Sequence, residues 1–227
     1  APTLILMYMV LRKYTYPAVE QPFFSDPRFF GLFVVGLIAG TLLEASNRLV
    51  PMNMIFMILF SVIQCLAMVV VMNLKRFHGK SDSVFYGYGL GLGMGCTMAL
   101  GTIYFKGSDM FKIAEGAAIG IEGYAWFILI ALSYVFIISA LGTTVGEGVA
   151  RLRPMEFGLQ AIFVNVVFSL ILWIAYSADE SIALYICLIL ALMVAVAYFY
   201  YIMYVKLSGV VRDVLKMEGK TRKDIPR

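Results

Sequence analysis

The chain has 227 residues, 62% of them hydrophobic and 14% charged, with a mean hydropathy of +0.88. Soluble domains carry about 25% charged and about 45–50% apolar residues, so composition excludes a soluble globule and a disordered chain and gives one multi-span membrane domain. Three cysteines, Cys65, Cys96 and Cys187, all lie inside apolar runs, which excludes a disulfide scaffold. The net charge is +4. No stretch mixes basic residues with stacking aromatics on a soluble face, which argues against nucleic acid as a partner.

A helix of about 20 apolar residues crosses the ~30 Å hydrocarbon core. In chain order the candidates are 1–11, 29–46, 52–74, 84–105, 124–149, 157–178 and 182–207. The first run makes only about 16 Å of helix and is read as the end of a span that begins upstream of Ala1. It has no basic region before it and no small-residue cleavage site after it, unlike a signal peptide. The segment from Ile113 to Gly123 is apolar but short and carries Glu115 and Glu122. If it does not cross, 15 basic residues fall on one side of the membrane and 3 on the other; if it crosses, the split is 6 against 12. The positive-inside rule selects the first arrangement. The expected fold is therefore an all-α bundle of about seven transmembrane helices plus one short interfacial or re-entrant helix. Its N-terminus lies outside and its tail in the cytoplasm. Residues 1–209 form the membrane domain and 210–227 a basic tail, in which Val210, Val211, Val214 and Leu215 give an amphipathic helix for an anionic leaflet.

The fourth run holds two glycine rows. Gly87, Gly91 and Gly95 repeat every four residues, as do Gly89 and Gly93. Small residues let helix backbones approach closely, so two rows predict a central helix packed on two sides. A phosphate loop would need a preceding strand and a soluble context. Gly36 and Gly40 repeat the device in the second run, on a face shared with Glu44.

Glu44 and Arg48 are spaced i, i+4, as are Glu147 and Arg151. Ionisable groups at membrane depth mark functional sites, yet both pairs lie near span ends, where side chains snorkel to water. Each pair is thus a structural ion pair or a candidate site. Glu115 and Glu122 line either a vestibule or the wet face of an interfacial helix. Gln64 and Asn165 sit mid-span and are expected to bond across helices. The single histidine, His78, lies in a basic loop. A zinc site takes three or four ligands, so no metal and no cofactor is expected, and no second histidine exists to build a nucleophile pair. A retinal Schiff base would need a mid-span lysine, and the last run offers only Lys206 at its end.

The order of these features resembles the PrsW family of intramembrane metalloproteases. Ala1-Pro2 with the apolar run through Tyr8, Leu11-Arg12-Lys13 and Glu20-Gln21-Pro22-Phe23 is similar to that family's first span and acidic-proline loop. Lys75-Arg76-Phe77, Asp82 to Gly87 and Gly91-Leu92-Gly93-Met94 are similar to its basic loop and glycine-rich span, and Ser133 to Gly142 stands where its histidine-bearing span falls. The resemblance implies a prokaryotic plasma-membrane protein. It also places the active-site-equivalent positions at Gln64, Met98 and Tyr134, and none of these carries the family's Glu-Glu, Glu-Asn-x-x-Tyr or histidine chemistry. A metal-activated water needs ligands and a base, so the resemblance implies a degenerate member that keeps the scaffold without the protease. The expected function is a non-catalytic membrane protein binding the transmembrane helix of a partner or client. The alternatives are an active metalloprotease using other carboxylates and a small-solute transporter or channel.

Overall fold

The computed structural model describes residues 2–16, 18–19, 22–49, 53–107, 120–178 and 181–219. Among them every regular element is helical: α1 (Pro2–Leu11), α2 (Asp26–Arg48), α3 (Met54–Met72), a 3₁₀ turn (Lys75–Phe77), α4 (Ser83–Thr102), a π turn (Ile103–Gly107), α5 (Ile121–Ala150), α6 (Pro154–Ser177), α7 (Ser181–Tyr200), a second π turn (Tyr201–Lys206) and α8 (Leu207–Met217).

Five helices are long and apolar enough to cross a bilayer: Asp26–Asn47, Met54–Met72, Ile121–Ala150, Pro154–Ser177 and the continuous rod Ile182–Met217. Two of the seven expected spans, α1 and α4, are not among these five. α1 has only 10 residues. α4 has 20, but its six glycines dilute its apolarity, and its side chains are buried almost from end to end. Each interior glycine disfavours a helix by roughly 0.5–1 kcal/mol relative to alanine, so α4 is helical because of its neighbours rather than by propensity.

Those neighbours are α2 and α5. α2 runs parallel to α4: Phe29 lies against Gly89, Phe33 against Gly93, and Glu44 against Gly101. α5 runs antiparallel: Gly142 and Gly146 meet Gly87, Ile138 meets Gly91, and Tyr134 meets Gly95. A methyl group at Gly87 or Gly91 would run into the carbonyl oxygen of Gly142 or Ile138, and one at Gly95 would sit 3.0 Å from that of Tyr134. The glycine rows are therefore filled by the protein's own helices, and they are closed to a partner helix.

A tight turn joins α5 to α6. Leu152 takes φ +61°, Leu152 N–H donates to Val149 O at 3.2 Å, and Arg153 N–H to Gly148 O at 2.7 Å. This is a Schellman closure with leucine in the left-handed position that glycine usually fills. α6 then returns antiparallel along α5 and α3, with Tyr134 edge-on to Phe168 at 5.7 Å and Ser61 opposite Ser169.

Ile121 to Gly123 form the first turn of α5, so this helix starts earlier than the expected 124. Gly120 caps it, and residues 113–119 of the expected interfacial piece, Ile113 and Glu115 included, lie outside the described residues. The expected division at 209/210 falls inside α8, which continues from α7 through the π turn. Val210, Val211, Val214 and Leu215 are buried among the described residues rather than presented on a free face.

Candidate functional site

Helix alternation gathers the charges at two ends. Arg12 and Lys13, Arg28, Lys75 to Lys80, Arg151, Arg153, Lys206, Arg212 and Lys216 lie at one end, and Glu44, Lys106 and Glu122 at the other. The Arg48 side chain lies outside the described residues.

At the second end Glu44 is 4% exposed. Its Oε1 accepts from the Thr102 hydroxyl at 3.2 Å, and its side chain lies over Gly101, where any Cβ would displace it. Tyr134 lies beside the same Thr102. Lys106 is the described cation that faces Glu44. Its ammonium stands 4.3 Å over the Tyr176 ring, and that ring packs on Trp126 with centroids 6.5 Å apart. The sequence offered Arg48 as the partner through helical spacing. It missed Lys106, which follows the end of α4 and comes into Glu44's electrostatic range only because α2 and α4 run parallel.

At the basic end Glu147 is 2% exposed. Arg151 Nε lies 2.9 Å from its Oε1, the i, i+4 pair expected, and Lys206 Nζ lies 2.8 Å from its Oε2. Arg151 also meets Asp213 at 3.1 Å. Lys206 and Asp213 come from the far end of the chain, and no local spacing could have found them. One buried carboxylate with two cations ties α5 to the last helical rod.

Asp82, beside this end, precedes α4. Burial pushes its carboxyl above the ordinary carboxylate range; Glu218 adds to the rise, while Tyr86, Lys80 and Arg28 oppose it. A raised folded-state value favours the protonated form, so Asp82 contributes stability below its unfolded pKa and loses it as pH rises through the folded one. Lowering the pH towards the ordinary carboxylate value should therefore raise the thermal midpoint of the native protein relative to Asp82→Asn; melts of both proteins across the acid range check this.

A third polar group lies at mid-depth between α3 and α6. The Asn165 amide donates to Ser61 O at 3.0 Å and to Gln64 Oε1 at 2.7 Å, and the Ser61 hydroxyl donates to Ser169 Oγ at 2.6 Å. Interhelical hydrogen bonds in membranes average about 0.6 kcal/mol and reach about 1.7. Asn165→Ala should cost about 1 kcal/mol in detergent unfolding, with the fold kept.

The three positions singled out by the resemblance are therefore packed. Gln64 is held by Asn165, Met98 is fully enclosed, and Tyr134 stands between Thr102 and Phe168. Tyr134 joins the Glu44 cluster, whereas Gln64 belongs to the α3–α6 interface. Among the described residues no three His, Cys, Asp or Glu side chains gather as a metal group would require. His78 Nε2 is 2.9 Å from Asn73 Oδ1 in the basic loop. Glu122 opens α5, and its carbonyl accepts from the Tyr185 hydroxyl at 2.7 Å. No protein-family model, curated protein or solved structure matches the sequence.

Proposed function

We propose that this chain is a non-catalytic, seven-pass membrane protein with a PrsW-like scaffold, which holds the transmembrane helix of a partner or client. The observation that carries the reading is the filling of the protease-equivalent positions: Gln64, Met98 and Tyr134 are all buried and engaged by neighbouring helices. α4 crosses the membrane inside the bundle, and α1 completes the count of seven. The basic end faces the cytoplasm of a prokaryotic cell, since positive loops are retained there, and the N-terminus lies outside.

With the glycine rows occupied, the face offered to a partner is the outer side of α2, which joins the bundle almost entirely through α4. Val34, Ile38, Thr41 and Ala45 are exposed on it, and Thr41 and Ala45 give the small-xxx-small spacing that lets helices approach. Cysteines placed at Thr41 and Ala45 and cross-linked in native membranes should trap a second membrane protein. Recovery of the uncross-linked chain alone at both positions would contradict the reading.

The buried Glu44, with Lys106 as a nearby cation, favours a second reading, a small-solute transporter, because intramembrane ionisable groups line solute and proton paths. Flux into liposomes that falls in Glu44→Gln separates it from the first.

A further inference from the structure

α1 does not seal against the rest of the bundle. Between it, α5 and α7 runs an apolar groove of about 370 Å³, lined by Ile5, Met9, Phe136, Val196, Phe199 and Tyr204 among others. Towards the basic end it continues past Met9 and Tyr204 into a small polar recess lined by Lys13, Tyr14 and Ser208. The Lys13 ammonium stands 4.8 Å over the Tyr204 ring at this junction, and Arg12 is its neighbour in the chain. The apolar groove follows α1 from Ile5 to Met9, about 6 Å at 1.5 Å per residue, and the recess carries it on to Lys13.

This geometry points to a bound membrane lipid: one hydrocarbon chain lies in the α1–α5–α7 groove and the anionic phosphate headgroup sits at Lys13 and Ser208. Three features select this occupant. The first is polarity, which changes along the groove in the order an amphiphile needs, apolar at mid-depth and cationic at the end where the bilayer meets water. The second is size. A helix with its side chains is about 10–12 Å across and would rest only one face on the groove, whereas a single hydrocarbon chain is thin enough to lie inside its volume of about 370 Å³. The third is charge. Basic residues at the cytoplasmic leaflet attract anionic lipids, and Lys13 is placed at the groove mouth rather than on an open loop. The lipid would fill the seam that α1, the shortest helix of the bundle, leaves open. This inference rests on the membrane reading and is independent of the proposed partner helix.

The test uses the full chain in nanodiscs of phosphatidylcholine with a minority of phosphatidylglycerol, followed by native mass spectrometry. One phosphatidylglycerol should stay bound per chain in preference to phosphatidylcholine. Lys13→Glu should reduce that retention about fivefold or more, the weight of a single cation at an anionic surface. Lys13→Arg should keep it, and Val196→Trp should fill the groove and remove it. If Val196→Trp fails to fold, the Lys13 pair decides alone. Equal retention of both lipids, or a phosphatidylglycerol adduct untouched by Lys13→Glu, overturns the inference. So does a photocross-linker at Val196 that captures protein instead of lipid in native membranes.

Discussion

Gly91→Leu is expected to be among the most damaging single changes in this protein. A side chain there meets the carbonyl oxygen of Ile138 and the backbone of Ser139 and Gly142, none of which can rotate away. Overpacking a close-packed interior costs about 1–3 kcal/mol and more where the obstacle is rigid. At about 2–4 °C per kcal/mol for a chain of this size, the thermal midpoint in detergent should fall by about 10 °C, or folded protein should fail to accumulate. The control is Gly31→Leu. Gly31 lies on the outer face of α2 with no atom within 4 Å of an added Cβ, and its replacement should leave the midpoint unchanged or raise it by the equivalent of about 0.5–1 kcal/mol, the helix penalty of glycine. Equal effects at the two positions would mean that α4 is not wedged between α2 and α5.

The second large effect belongs to Glu147→Ala. Glu147 is buried while Arg151 and Lys206 each reach it from partly exposed positions. Removing one partner of a buried ion pair costs about 3–5 kcal/mol, because the remaining charge loses its counterion without regaining full hydration. Here two cations are left, and α5 is released from the Tyr201–Met217 rod. Lys206→Met in the Glu147→Ala background should restore part of the loss, since the pair's energies are coupled rather than additive. Unfolding midpoints of the two single variants and the double variant measure the coupling. Simple additivity would show that the contact between Lys206 and Glu147 carries no energy.

Much of this arrangement was written in local spacing. The glycine rows at 87, 91, 95 and at 89, 93 announced a helix with two packing faces, because a four-residue repeat marks one face of a helix whatever lies beyond it. The i, i+4 spacing located Glu147 beside Arg151 for the same reason, and mid-span amides located Gln64 and Asn165. What spacing could not show was which element covers each face. Lys106 reaches Glu44, and Lys206 and Asp213 reach Glu147 and Arg151, across sequence gaps that only the bundle closes. The same limit applies to α4: it was read as a crossing helix from its apolar length, and spacing could not show which neighbours enclose it. It also explains the tail, whose valines signalled an amphipathic helix but could not tell a bilayer surface from the protein's own core.

The central claim is that α4 passes through the membrane at the middle of the bundle, with the basic loops on the cytoplasmic side. Single cysteines at Lys80, before α4, and at Gly120, before α5, test it most directly in a background with Cys65, Cys96 and Cys187 changed to alanine. An impermeant maleimide applied to intact cells should label position 120, and should label position 80 only after the membrane is opened. Labelling of both positions from the same side would contradict the account.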